Sequence, residues 1–237
     1  MWVCELGLVP YAQAAGLQEQ LRCLRQAERI PDTLLLLQHP PVYTRGRRSR
    51  EDELSLGEAF YASRGIEVLC TDRGGRVTYH GPGQLVGYPI MRLSDVIGHL
   101  RAMEDAIADA LALEGLQARS RASEGPDFTG VWVQERKIAS IGVHFQRGVS
   151  THGFALNVTN DLTPFSWVVP CGLSGVQMTS VAAELSRSGR DPGTASLEHL
   201  SEAIAANLCM LHHRDPVQVA QSELALALRG TDLRAAA

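Results

Sequence analysis

Residues 73–84 read Arg-Gly-Gly-Arg-Val-Thr-Tyr-His-Gly-Pro-Gly-Gln. Gly74 and Gly75 can reach backbone angles closed to other residues, and they let a ligand approach the main chain. Arg76-Val77-Thr78-Tyr79 reads as a short strand, because β-branched and aromatic side chains suit a pleated surface. Gly81-Pro82-Gly83 breaks that strand at once. A loop, a strand and a second tight loop therefore carry two arginines, a tyrosine, a histidine and a glutamine. The segment is either a surface hairpin with solvated charges or the wall of a pocket. The density of polar groups on a glycine-rich frame favours the wall, since sites tend to lie on loops held by a rigid scaffold.

The flanking chain supplies that scaffold. Ile66 to Cys70 alternates like a strand leading into the segment, and Leu85 to Met91 continues as strand beyond it. Upstream, Trp2 to Val9 reads as an opening strand. Tyr11 to Glu28 places Ala14, Leu17, Leu21 and Leu24 on one helical face, and Thr33 to Leu37 is a continuous apolar run, as expected of a buried central strand. Glu58 to Arg64 reads as a short helix stopped by Gly65. Downstream, Ser94-Asp95 starts a helix. Its apolar stripe is Val96, Leu100, Met103, Ile107 and Leu111, and Gly115 sits at its end. Val131 to Phe145 reads as a β-hairpin turning at Gln134-Glu135-Arg136. Phe154 to Val158 is a further strand, Thr179 to Leu185 begins a helix, and Leu197 to Leu211 marks the last clear one. From Asp215 the pattern weakens, with a short helix expected over Glu223 to Leu228. Strands and helices mix without strict βαβ alternation, which predicts an α+β (α/β) single domain, a mixed β-sheet flanked by helices. The catalytic domain is expected over residues 1–215, with 216–237 a partly frayed C-terminal extension.

Totals set outer limits. The 237 residues are 45% hydrophobic and 20% charged, ordinary for a globular protein. A formal charge of −4 gives no global attraction to nucleic acid or to anionic membrane. No apolar run approaches the ~20 residues needed to span a bilayer. The first residues lack a basic start and carry Glu5, against a signal peptide. The 5 cysteines (Cys4, Cys23, Cys70, Cys171, Cys209) contain no CxxC pair, which argues against a disulfide framework and a zinc site and predicts a cytoplasmic location. The histidines lack ligand spacing, so no metal is expected.

Two residues stand out chemically. Cys4, Cys23, Cys70 and Cys209 each lie within an apolar pattern and read as small buried hydrophobes. Cys171 lies in a turn between Pro170 and Gly172. A working thiol needs a positive or basic neighbour; Lys137, His80, His144 and His152 are the candidates. Lys137 is the single lysine among 22 basic residues. Arginine cannot act as a base whereas lysine can, which raises Lys137 as the partner of Cys171. Four further arginines (Arg45, Arg47, Arg48, Arg50) follow a stiff connection read over His39-Pro40-Pro41-Val42-Tyr43-Thr44. They form either a solvated loop or a landing patch for an acidic partner.

The stretch RGGRVTYHGPGQ, the segment Lys137-Ile138-Ala139-Ser140-Ile141-Gly142 and the segment Pro170-Cys171-Gly172-Leu173 together resemble the lipoyl(octanoyl) transferases, in the family's order. The resemblance spans roughly Pro31 to Leu185. It implies a single domain related to the catalytic modules of biotin and lipoate protein ligases, and an acyltransferase with a Cys171/Lys137 dyad. That enzyme would move an octanoyl group, through an acyl-cysteine thioester, from octanoyl-acyl carrier protein to a lysine of a lipoyl domain. The implied acceptors are the lipoyl domains of 2-oxoacid dehydrogenase complexes and the glycine cleavage H protein. The enzyme is expected to be a monomer that uses no cofactor. Substrate contacts are implied at Arg73, Gly74, Gly75, Arg76, Val77, Thr78, Tyr79, His80, Ser140, Ile141, Gly142, Gly153, Phe154 and Ala155. His80 either donates a hydrogen bond or braces its loop; His144 and His152 are expected in structural or surface roles. Backbone N–H groups near Gly74, Gly75 and Gly172 are the candidates for holding an oxyanion. Two rivals remain: an ATP-dependent lipoate-protein ligase, which needs no nucleophilic cysteine, and a non-catalytic module that binds acyl carrier protein.

Overall fold

The computed structural model describes residues 1–168 and 176–232, without the side chains of 230–232. Val169 to Gly175, including Cys171, lie outside the described residues.

The chain opens with β1 (Trp2–Leu8), α1 (Tyr11–Gln26) and β2 (Thr33–Gln38). A small excursion follows: β3 (Val42–Arg45), α2 (Glu58–Ala62), β4 (Glu67–Cys70) and β5 (Val77–His80). It returns through β6 (Gln84–Ile90) to α3 (Val96–Leu113), then β7 (Arg119–Ser120), β8 (Gly130–Val133), β9 (Arg136–Gln146) and β10 (Val149–Asn157). β11 (Gln177–Met178), α4 (Val181–Arg187), α5 (Leu197–Leu211), β12 (Val217–Gln218) and α6 (Gln221–Asp232) complete the described chain.

Among the described residues the main sheet runs β12-β1-β2-β6-β10-β9-β8-β7, with β11 joining β9. β1 is parallel to β2 and β12, and β11 is parallel to β9, while the remaining pairs are antiparallel. The sheet is therefore mixed, as the irregular alternation of elements predicts. A second sheet, β4-β3-β5, is built from the excursion.

Both faces of the main sheet are covered, which explains the unbroken apolar run of β2. Leu34 and Leu36 point into one core with Met103, Ile107, Leu111, Phe154, Leu156, Leu185, Ile204 and Leu208. Leu35 and Leu37 point into the other with Ala14, Leu21, Leu24, Val86, Tyr88 and Leu224. A third cluster (Tyr43, Tyr61, Val77, Tyr79, Phe165) lies under the small sheet. Met103, Ile107 and Leu111 are each 0% exposed, and burying one such side chain contributes about 1.5–3 kcal/mol. The Asp95 carboxylate accepts the Gly98 N–H at 2.8 Å and caps α3, as the sequence predicts.

Several expectations need correction. Cys4 and Cys209 are buried, but Cys23 and Cys70 are exposed. Cys23 falls beside the buried positions Tyr11, Ala14, Gln18, Leu21 and Leu24 of α1, on the solvent side. Cys70 ends an edge strand, so part of its surroundings is water. β10 begins at Val149, ahead of the Phe154 start read from the pattern. The β9–β10 turn is Arg147-Gly148 with φ of 49° and 81°, the left-handed pair that a tight two-residue hairpin demands. α6 extends beyond the expected Glu223 to Leu228. β12 was not anticipated, because two residues give no period to read.

Candidate active site

A cavity of about 280 Å³ lies between the main sheet and the excursion that carries the small one. Its floor is β9 and β10, where Gly142 pairs with Gly153 and Ser140 pairs with Ala155. Its roof is the Arg73–Thr78 segment and His80. Lys137 and His152 mark its two ends. Val143, the partner of His152, lies six positions along β9 from Lys137, so the ends lie roughly 20 Å apart by the usual strand rise.

Every residue of the expected substrate set borders this cavity except Tyr79, and Lys137 borders it too. Tyr79 turns instead into the third cluster, with its ring 5.4 Å from that of Tyr43 and 5.6 Å from that of Phe165. Phe154 borders the cavity, but its ring packs over Gly87, where a Cβ would meet it at 2.1 Å.

The glycines act on the chain's own backbone. Gly74 N–H donates to Val143 O at 2.9 Å, docking the roof loop onto β9. That amide is thereby used, which removes it from the oxyanion candidates. A Cβ on Gly142 would meet Gly74 O at 2.8 Å, so only glycine allows the roof to sit this close. Gly75 turns the loop with φ of 85°.

Arg73 is built into the frame rather than offered to solvent: it is 8% exposed. Its Nε donates to Thr44 Oγ1 at 3.1 Å and its Nη2 to Thr44 O at 2.5 Å. The Thr44 hydroxyl reaches His80 Nε2 at 3.4 Å. His80 Nδ1–H donates to Gln84 Oε1 at 2.8 Å, and Gln84 Nε2 donates to Tyr79 O and to Asn157 Oδ1 at 3.1 and 2.9 Å. Both His80 nitrogens are thus engaged in a relay from Arg73 to Asn157. The relay braces the loop, one of the two roles open to His80 from sequence. Burial, helped by His39 and Arg73, holds the His80 pKa well below the ordinary histidine value, so the ring is neutral.

The far end of the cavity is polar, which the sequence did not reveal. His152 Nε2–H donates to Asp72 Oδ1 at 2.7 Å, and Tyr11 OH donates to His152 Nδ1 at 3.3 Å. Burial pushes the His152 pKa below its ordinary value against the pull of Asp72. Burial pushes the Asp72 carboxyl up, but the His152 hydrogen bond and the smaller favourable interactions around it together outweigh it and hold Asp72 below the ordinary range. The pair is a neutral imidazole donating to a carboxylate. His152 has φ of 57°, a strained angle for a non-glycine residue, held by a bond from its own N–H to Gln18 Oε1 at 2.7 Å. Gln18 sits on the apolar face of α1; a polar residue on such a face is the signal by which sequence could have flagged this end.

Lys137 is 4% exposed. Its Nζ lies 5.4 Å from the centroid of the Trp132 ring. On its other side β11 arrives: Met178 pairs with Lys137, and Thr179 N–H donates to Lys137 O at 2.9 Å. Arg48 of the Arg45–Arg50 loop borders the cavity. Arg48 pairs with Asp127 at 3.1 Å across it, and Arg50 pairs with Asp52 at 3.2 Å. No group of three or more histidine, cysteine or acidic residues that could hold a metal occurs among the described residues, and no described helix is long and apolar enough to cross a membrane.

A two-faced mixed sheet with a glycine-rich loop closing a slot over two of its strands, a smaller sheet beside that loop, and a buried lysine at the end of the slot define an α/β catalytic module. The family model "Lipoyl protein ligase A/B catalytic domain" matches residues 10–208, and the chain belongs to that family. It is 50% identical over 185 residues to the octanoyltransferase of Rubrobacter xylanophilus, covering 76% of this chain and 82% of the relative. It is 44% identical over 219 residues to the octanoyltransferase of Mycobacterium ulcerans, covering 87% and 86%. Among solved structures, lipoate-protein ligase A bound with ATP superimposes with a TM-score of 0.74 at 19% identity, covering 96% of this chain and 92% of that one. The bi-partite lipoate protein ligase of Thermoplasma acidophilum gives 0.67 at 18%, covering 96% and 90%. At such identities the structures speak for the fold alone.

Proposed function

We propose that this protein is an octanoyltransferase: it moves an octanoyl group from acyl carrier protein to the ε-amine of a lysine on a lipoyl domain, through a thioester on Cys171. Relatives named octanoyltransferase, 44–50% identical over most of the chain, support the activity. The observation that carries the chemistry is Lys137, the chain's one lysine, buried at the end of an acyl-sized cavity. Lysine can accept a proton where arginine cannot.

The Lys137 amine takes the proton of the Cys171 thiol. The thiolate attacks the carrier's thioester carbonyl, and the carrier leaves as its thiol, taking a proton back. The acceptor amine then attacks acyl-Cys171 and forms the amide, and the Cys171 sulfur leaves as the thiol with the proton the amine gives up. Exchange of one thioester for another is nearly balanced, and thioester to amide is downhill, so no ATP is consumed. An extended eight-carbon chain spans about 9 Å, from C–C bonds of roughly 1.5 Å, and fits between Lys137 and the polar far end. Its six methylenes contribute about 5 kcal/mol at roughly 0.8 kcal/mol each.

The acceptors are the lipoyl domains of 2-oxoacid dehydrogenase complexes and the glycine cleavage H protein, in the cytoplasm. The protein acts as a monomer, with the reaction assigned to residues 1–215 and the remainder as an extension. The test is transfer of octanoate from the loaded carrier to a lipoyl domain with no ATP or magnesium present. Transfer under those conditions is expected. A strict requirement for ATP, with free octanoate as donor, would return the ligase reading.

A further inference from the structure

Of the buried carboxylates among the described residues, Glu104 is the one bonded to the backbone that lies against Lys137. Glu104 lies in the middle of α3 and is 0% exposed. A buried carboxylate is costly unless hydrogen bonded, and apart from Arg101 on the same helix the partners of Glu104 lie on β7 and β8, at the end of the sheet that carries Lys137. Gly130 N–H donates to its Oε1 at 2.8 Å and Ser120 Oγ to its Oε2 at 2.6 Å, with Arg101 on the same oxygen.

Gly130 is the residue beneath Lys137. A Cβ there would meet Lys137 Cε at 2.8 Å, Lys137 Nζ at 3.4 Å and Ala139 O at 2.4 Å. The lysine stem therefore rests on the Gly130 backbone. The Trp132 ring, whose indole N–H donates to Phe128 O at 2.9 Å, flanks the same amino group. Trp132 is fixed by its own packing. Gly130 has no side chain to fix it, and its φ of 132° belongs to a region that glycine enters freely. The bond that holds it toward α3 is the one to Glu104.

We propose that Glu104 is a positioning residue for Lys137. By accepting the Gly130 N–H it fixes the backbone on which the lysine stem lies, and so sets where Nζ stands in the cavity. The role belongs to the acceptor oxygen and not to the charge. This inference rests on the reading of Lys137 as the base for Cys171.

The test is alkylation of Cys171 by iodoacetamide at neutral pH, read by peptide mass mapping, with exposed Cys23 and Cys70 as internal reference thiols. Steady-state kcat and KM are measured alongside. Glu104→Ala slows Cys171 alkylation and kcat about tenfold or more, as expected for a displaced catalytic group, and leaves KM for the carrier within about twofold. Glu104→Gln keeps an acceptor for Gly130 and restores most of both rates. If Glu104→Ala does not fold, Glu104→Asp, which withdraws the carboxylate by one methylene, shows the loss instead. In a Lys137→Ala background, Glu104→Ala adds no further slowing. The proposal is overturned if Glu104→Ala alkylates at the parental rate, if Glu104→Gln is as slow as Glu104→Ala, or if the loss persists without Lys137. Those results leave a Lys137→Ala defect intact and spare the base role. Parental alkylation in Lys137→Ala removes the base role and this proposal together.

Discussion

Acidification from pH 7 to pH 5 should cost this protein about 4 kcal/mol of stability through His39 and His99 alone, two histidines buried as neutral rings, on top of what neutral His80 and His152 add. Burial lowers His39 to about 4 and His99 to about 3. His39 donates from Nδ1 to Val9 O at 2.6 Å and accepts at Nε2 from Tyr88 OH at 2.7 Å, so its partners suit one neutral tautomer. His99 faces His212 at 3.0 Å, and its Nε2 has no hydrogen-bond partner among the described residues. Both folded pKa values lie below the unfolded value of about 6.5, so the unfolded chain binds the extra protons. Their contribution is complete above pH ~6.5 and is lost as pH falls toward the folded values. At pH 5, which lies about 1.5 pH units below the unfolded pKa and above both folded values, each ring costs ~2 kcal/mol. That is a large share of a typical 5–15 kcal/mol. The carboxylates Asp32 and Asp72 are held below their ordinary range, so their losses come at lower pH and leave this window to histidine. The assay is urea unfolding at both pH values for the parent and for His99→Phe, which removes a buried unpaired nitrogen. The variant should lose about 2 kcal/mol less than the parent between pH 7 and 5. Equal losses in variant and parent, or no loss in the parent, would show that these rings are not neutral in the fold.

Gly142→Ala places a Cβ 2.8 Å from Gly74 O. It should cost about 1–3 kcal/mol of stability and raise KM for the octanoyl carrier, read by unfolding and steady-state kinetics together. Lys137→Arg should lose about 10²-fold or more in turnover, almost as much as Lys137→Ala, because arginine cannot accept a proton. Near-parental turnover in Lys137→Arg would refute the base role. Reversing Arg47 and Arg48 should raise KM for the acidic carrier, most at low salt, because ions screen such steering. A KM unchanged across ionic strengths returns the loop to simple solvation.

The fold was largely legible because its elements are periodic and capped. β2 reads as buried from its unbroken leucines, and α3 reads from its stripe, its Asp95 cap and the Gly115 stop. The small sheet was legible through β5 and β4, which flank the glycine loop. The near half of the candidate site was legible for the same reason: Arg73 to Thr78 and Ser140 to Gly142 lie on two short contiguous motifs. The far half was not. Tyr11, Asp72 and His152 meet from an α-helix, a loop and a strand, and His152 is turned by a left-handed angle that no sequence period reports. Glu104 was hidden for a different reason. It lies one position beyond Met103 on α3, where a charged residue reads as solvent-facing unless its partners at Gly130 and Ser120 are known. Cys23 and Cys70 misled because apolar neighbours in sequence do not ensure burial on a helix flank or at the end of an edge strand.

The most direct test of the whole account is the intact mass of the protein after mixing with octanoyl-acyl carrier protein and no acceptor. The parent should gain the mass of one octanoyl group, mapped to Cys171, and should lose it when a lipoyl domain is added, with the octanoyl group appearing on the acceptor lysine. Cys171→Ser should gain nothing and transfer nothing while remaining folded. A parent that transfers octanoate with no adduct on Cys171, or a Cys171→Ser protein that still transfers at a substantial rate, would contradict the covalent route.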